Sequence, residues 1–249
     1  RIMRERFGAT DPKAMLLRFH TQTGGATLTA QQPENNIVRT AYEALAAVLG
    51  GTQSLHTNSY DEALALPSEQ AARLALRTQQ VLAYETGVAD SADPLGGSWM
   101  VERLTAQVEA AAWDLLDRLD RMGGAVAAIE SGWTKREIED AAYRVQQAVE
   151  DGRRVVVGVN RFAEAHDVPE VMRRDPASAA GQLARLAKVR AERDAGAVAS
   201  ALGALRAAAR GPGNLLYPMR EALAAYATLG EVCDVLRDEL GTYTPGHEV

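Results

Sequence analysis

Met15-Leu16-Leu17-Arg18-Phe19-His20-Thr21-Gln22, followed one helix later by Thr52-Gln53-Ser54-Leu55-His56-Thr57-Asn58, decides the fold of this chain. Both stretches read as strands, and side chains on a strand alternate between faces. Arg18, His20 and Gln22 therefore share one face, and Ser54, His56 and Asn58 share another. A barrel strand with a purely structural task fills such positions with Val, Ile and Leu. Rows of hydrogen-bonding groups point instead to a lumen that holds something polar.

Between the two strands Ile37, Ala41, Leu45, Val48 and Leu49 recur at helical spacing. Asn35 or Asn36 offers an N-cap, and Gly50-Gly51 a stop. After Pro67, Ser68 caps a further helix that runs to about Glu85 and is closed by Gly87. Strand, helix and strand at this spacing make a βα unit of a parallel sheet, in a barrel or a doubly wound fold. Thr86 to Gly97 reads as a loop. From Ser98 the chain turns helical. Val101, Leu104, Val108, Ala111, Leu115 and Leu119 form one apolar stripe, ended by Gly123-Gly124. Thr134-Lys135-Arg136-Glu137 has the pattern of a capping box opening a helix toward Val149. Val155-Val156-Val157-Gly158-Val159 reads as a short strand. Residues 163–176 read as a polar linker, and residues 178–240 as alanine- and arginine-rich helices broken at Gly211-Pro212-Gly213. A complete barrel takes eight βα units. Two strong strands and one or two weak ones are part of one.

The chain has 249 residues, 47% of them hydrophobic and 24% charged, ordinary values for a soluble globular protein. A net charge of -6 supplies no electrostatic footprint for nucleic acid. No apolar run approaches the roughly 20 residues that span a bilayer, and Arg1-Ile2-Met3-Arg4 does not read as a secretory leader. The single cysteine, Cys233, forms no intrachain disulfide and fits a reducing cytoplasm, where it reads as a small buried apolar residue. A cytoplasmic protein with no nucleic-acid or membrane partner is the expectation.

His20 on its half-polar strand, with Arg18 and Gln22 on the same face, reads as a ligand, an acid/base group or a hydrogen-bond donor ahead of a packed histidine satisfied by backbone. His56, between Ser54 and Asn58, fits either reading equally. His166 and His247 fall in linker and tail. No histidine spacing matches a zinc signature. Asp61-Glu62 follows the second strand directly, where α/β folds bind ligands. The same pair also suits the opening of a helix, whose dipole favours acids there.

At these residues the chain resembles the methylmalonyl-CoA mutase family of coenzyme-B12-dependent acyl-CoA mutases. Arg18-Phe19-His20-Thr21-Gln22-Thr23, Asn35-Asn36-Ile37-Val38-Arg39-Thr40, Gly50-Gly51-Thr52-Gln53-Ser54-Leu55-His56-Thr57-Asn58 and Asp61-Glu62-Ala63-Leu64 carry the resemblance. Asp93-Pro94-Leu95-Gly96-Gly97-Ser98 and Val157-Gly158-Val159-Asn160 extend it, so that it covers residues 13–162, with a looser match in the tail. The resemblance implies an α/β fold, the C-terminal part of a (β/α)8 TIM barrel followed by a mainly helical region. Residues 1–98 would be late βα units, 99–162 the helices and short strand closing the barrel domain, and 163–249 a helical extension. Acyl-CoA threads along the lumen of such barrels. The resemblance implies that His20 and Gln22 are catalytic, that Gln53 and Ser54 meet the thioester substrate, and that Asn58 and Glu62 hold the ribose of adenosylcobalamin. Leu66 and Pro67 would lie against the corrin. Strand parity puts Gln53 on the opposite face from Ser54, so both reach substrate only if the strand begins irregularly.

Three departures qualify the resemblance. A tryptophan usual in the methylmalonyl-CoA enzymes at the corrin-facing loop is Ala26 here. With Gln32-Pro33-Glu34-Asn35, this looks more like the isobutyryl- and 2-hydroxyisobutyryl-CoA relatives. The Asp-x-His-x-x-Gly axial-ligand motif of the cobalamin domain is absent, which implies a separate small cobalamin-binding subunit and an end near Thr242-Tyr243-Thr244-Pro245-Gly246-His247. The front of the barrel, with the determinants for the acyl group, is also missing, so the N-terminal remainder is a required partner and the chain alone is expected to be inactive. The alternative is a non-catalytic helical interaction subunit that keeps barrel remnants.

Overall fold

The computed structural model describes residues 1–164, 171–172 and 175–243. It is a mixed helix and sheet protein in two units, Arg1–Met172 and Arg173–Val249. No helix among the described residues is long and apolar enough to cross a membrane.

The first unit is built on a parallel strand pair. Strand β1, His20–Gln22, pairs with β2, Ser54–His56, in the register His20↔Ser54, Thr21↔Leu55 and Gln22↔His56. Helix α2, Asn35–Leu49, connects them, after a short α1 at Ile2–Glu5. The expected βα unit is present, and both strands are shorter than their sequence pattern. Pro12–Met15 is a 3₁₀ turn, and Leu16 and Leu17 stand largely exposed. The ladder gains one further rung on each side, Gln53 N–H to Phe19 O at 3.2 Å and Thr23 N–H to His56 O at 3.1 Å. Strand character needs a neighbour to bond, and among the described residues the sheet has only these two strands.

Helix α2 stops as expected at Gly50-Gly51, with Gly51 at φ +81°. Its start differs from the expectation, because neither Asn35 nor Asn36 is the N-cap. A turn around Gln32, at φ +47°, offers its own carbonyls, Gln32 O to Asn35 N–H and Pro33 O to Asn36 N–H. Asn35 and Asn36 are thereby inside the helix. The residues that α2 buries are Asn36, Thr40 and Ala44, one i, i+4, i+8 row, while Ile37, Ala41 and Leu45 beside it are half-buried. Helix α3, Glu69–Glu85, is capped by Ser68, whose hydroxyl accepts from Ala71 N–H, and Gly87 closes it at φ +68°.

Helix α4, Trp99–Arg121, carries the expected apolar stripe with no residue buried; Val108 is 69% exposed. A short α5, Ala125–Glu130, follows the glycine pair. Helix α6, Trp133–Glu150, begins one residue before Thr134, from Gly132 at φ +71°, and makes no side-chain cap bond, so the expected capping box does not form. Val155–Val159 is not a strand. Gly158 at φ +82° bends it, and Asn160 ties it into a turn, donating to Val149 O and Arg154 O and accepting from Val156 N–H. Only a single bridge, Val157 to Arg161, remains.

Most of the expected linker, and His166 and His247, lie outside the described residues. The second unit has helices α7 to α10 at Pro176–Glu192, Ala195–Ala209, Leu216–Ala224 and Leu229–Leu240, with the break at Gly211-Pro212-Gly213 where expected. Its core gathers Val198, Leu205, Ala222, Ala227, Val232 and Val235. Cys233 on α10 is half-buried rather than buried. Thr228 and Glu231 form a capping box at the start of α10, and Arg193 grips the Glu231 carboxylate with both guanidinium nitrogens. That grip and the Thr228 N–H hold the Glu231 carboxyl well below the usual carboxylate range. Arg210 and Arg206 likewise draw Glu239 down to about 2.

Candidate functional site

Register makes the polar face. Because His20 lies opposite Ser54, their side chains emerge on the same side, and His20 Nδ1 meets Ser54 Oγ at 2.7 Å. Gln22 lies opposite His56 and emerges on that same face. All four side chains are exposed, while Thr21 and Leu55 between them turn the other way and are half-buried. Thr21 Oγ1 donates to Thr52 Oγ1 on that opposite side. Gln53 also departs from the polar face, as parity requires. Its Oε1 accepts from Phe19 N–H at 2.7 Å and its Nε2 donates to Gly51 O, so the side chain extends the ladder in place of backbone.

At the carboxyl end of the strands the site becomes buried. The Thr23 hydroxyl donates to Asn58 Oδ1 and accepts from Asn58 N–H at 2.9 Å, locking the two strand ends together. Asn58 is 2% exposed, and its Nδ2 is a buried donor without a partner. Glu62, one turn further on, has an exposed carboxylate to which no described residue donates. Both groups face Gly25 in the turn after β1: a Cβ there would stand 3.0 Å from Asn58 Nδ2 and 3.2 Å from Glu62 Oε1. An unmet donor beside an unmet acceptor suits hydroxyl groups, which accept and donate at once. Asp61, 1% exposed, takes Ser68 N–H on one carboxylate oxygen and leaves the other unpartnered. Glu62 and Pro67 line a cleft of 260 Å³ with His56, Ser59 and Gln79, and Leu66 stands exposed nearby in sequence. Among the described residues no three His, Cys, Asp or Glu side chains come together as a metal site.

Three residues that organise this end were not among the expected site residues. Asn36, fully buried, donates to Thr29 O at 2.8 Å and Tyr60 O at 2.9 Å, and accepts from Thr29 N–H and Arg39 Nη1. It ties the turn after β1 to the turn after β2. Arg39 carries the brace on to Val157 O. Glu43 holds the first turn from the other side, accepting from Gly24 N–H and Thr27 Oγ1. The signal that marks them is position: all three project from α2, the helix that connects the two strands.

A family model described as methylmalonyl-CoA mutase matches residues 1–242. The 2-hydroxyisobutanoyl-CoA mutase large subunit of Aquincola tertiaricarbonis is 47% identical over 98% of this chain and 44% of its own length. The methylmalonyl-CoA mutase of Rhizobium meliloti is 46% identical over 100% of the chain and 35% of its own length. That of Escherichia coli is 46% identical over 95% and 34%. The chain thus spans between a third and a half of the length of these three relatives.

Proposed function

The chain belongs to the methylmalonyl-CoA mutase family, and from that premise we propose that it supplies late strands of the catalytic TIM barrel of an adenosylcobalamin-dependent acyl-CoA mutase. The reaction is an isomerisation, a carbon-skeleton rearrangement of a short branched acyl-CoA. Residues 1–98 supply βα units, 99–162 close the barrel domain and 163–249 extend it. The observation that carries the reading is the register of β1 and β2, which sets His20, Gln22, Ser54 and His56 on one exposed polar face beside the Asn58–Glu62 pair.

Each residue has a task in this reading. In the tautomer this reading requires, His20 Nδ1 accepts from the Ser54 hydroxyl and Nε2 carries the proton, and that N–H and the Gln22 amide hold the thioester carbonyl. Gln53 reaches substrate only by releasing Phe19 and Gly51, so its main work is to shape the start of β2. Asn58 Nδ2 and the Glu62 carboxylate take the ribose hydroxyls of adenosylcobalamin, and Leu66 and Pro67 lie toward the corrin. The cofactor, when bound, supplies the radical that starts the rearrangement. A cytoplasmic assembly completes the enzyme, with the N-terminal remainder of the barrel and a separate small cobalamin-binding subunit; the words "large subunit" in the name of the Aquincola relative support the latter.

A second reading, a non-catalytic interaction subunit, draws on the exposed apolar stripe of α4. Kinetics of the assembled enzyme decide between them. The His20→Ala variant loses one donor in the lumen, and its turnover falls about 100-fold or more while apparent acyl-CoA affinity changes less. Undiminished turnover would leave His20 as scaffold and favour the second reading.

A further inference from the structure

Gly25 sits where the turn after β1 crosses the carboxyl end of β2. The two distances from a Cβ placed there, 3.0 Å to Asn58 Nδ2 and 3.2 Å to Glu62 Oε1, are shorter than ordinary van der Waals contact. Its backbone lies outside the left-handed region, so the residue is glycine for space and not for conformation. The turn and Asn58 are held in place, whereas the exposed Glu62 carboxylate can give. Glu43 accepts Gly24 N–H at 2.6 Å on Oε2, and the Thr27 hydroxyl is shared between Glu43 Oε1 and Gly24 O, which pins the turn from α2. Opposite, Asn58 is held by Thr23 through both its side chain and its backbone.

We propose that Gly25, pinned by Glu43, is a positioning residue whose missing side chain sets the gap through which Asn58 and Glu62 receive the hydroxyl groups of a ribonucleoside. This rests on the adenosyl reading above and adds to it a residue that touches the ligand pair from the opposite loop. Asn58 Nδ2 is buried without a partner beneath Gly25, so a ligand hydroxyl meets it only as the exposed Glu62 side chain gives way, in space that a side chain on residue 25 would fill. A methyl group at this position presses on Asn58 Nδ2, which is held, and crowds the Glu62 carboxylate. The His20–Ser54 hydrogen bond lies at the opposite end of the strand pair from this turn.

The test is calorimetric titration of adenosine, and separately of acyl-CoA, into the assembled cobalamin-free enzyme. Gly25→Ala weakens adenosine binding about tenfold or more, the scale of one lost hydrogen bond to a charged group, and retains acyl-CoA affinity, which also reports correct folding. Releasing the pin restores room: the double variant Gly25→Ala/Glu43→Ala binds adenosine more tightly than Gly25→Ala alone, a non-additivity that a general loss of structure does not produce. Wild-type adenosine affinity in Gly25→Ala, or no recovery in the double variant, overturns the inference while the adenosyl reading stands. A wild-type enzyme that binds no adenosine, or a Glu62→Ala variant that binds it normally, overturns the adenosyl reading and this inference with it.

Discussion

Replacing Asn36 by alanine removes the brace between the two loops that carry the site. Asn36 makes four side-chain hydrogen bonds from a fully buried position: two donated, to Thr29 O and Tyr60 O, and two accepted, from Thr29 N–H and Arg39 Nη1. A typical bond contributes about 1 kcal/mol net, and partners left buried and unpaired cost more than that. Arg39 keeps its bonds to Thr29 Oγ1 and Val157 O, and relaxation returns part of the loss. The expected local destabilisation is therefore about 3 kcal/mol, which is roughly 100-fold in an opening equilibrium. Native-state hydrogen exchange on peptides covering residues 24–36 and 57–66 reads this directly. Both peptides should exchange about 100-fold faster in Asn36→Ala, together, while the helices of the second unit are unchanged. Asn36→Asp keeps the two accepted bonds, loses the two donated ones, and should fall between. If only the 24–36 peptide responds, or neither does, Asn36 does not couple the loops and the brace is wrong.

Glu62→Ala in the assembled enzyme should slow release of the adenosyl group, followed by stopped-flow cobalamin absorbance, with acyl-CoA binding nearly intact; a normal rate would make Glu62 a bystander. On the proposed reading this chain alone should bind adenosylcobalamin weakly, since it would supply only one side of the site. Tight binding with histidine coordination in a spectral titration would contradict the need for a separate cobalamin-binding subunit. In the second unit the folded carboxyls of Glu231 and Glu239 are held low, Glu239 at about 2. The stability they lend is therefore fully present above the unfolded carboxylate pKa of roughly 4.3. It is lost as pH falls from there toward about 2. Urea midpoints across that window should fall less steeply in Glu239→Gln than in the wild type, and equal slopes would refute the assignment.

Much of the first unit is legible in the sequence, for identifiable reasons. The helical spacing from Ile37 to Leu49, the Gly50-Gly51 stop and the Ser68 cap are local signals, and each survives into the structure because its physics is local. Parity alone puts His20 and Gln22 on one face and Gln53 off it, and pairing aligns the first face with Ser54. Strand ends are different. Leu16, Leu17 and Val155–Val159 have the composition of strands, but a strand exists only where a neighbour accepts its backbone, and composition does not say where that neighbour is. Asn36 shows another limit. A polar residue near a helix start reads as a cap, and nothing in its spacing indicates that its amide spans two distant loops. Glu43 looks like any exposed helix acid until the Gly24–Thr27 turn is seen folded onto it.

Thioester analysis by mass spectrometry on the assembled enzyme tests the central claim most directly. Methylmalonyl-CoA and 2-hydroxyisobutyryl-CoA are offered in turn, with and without adenosylcobalamin. The account predicts a skeletal isomer from at least one of them, formed only when adenosylcobalamin is present. Isomer formation without the cofactor, or none from any short branched acyl-CoA with it, would contradict the claim.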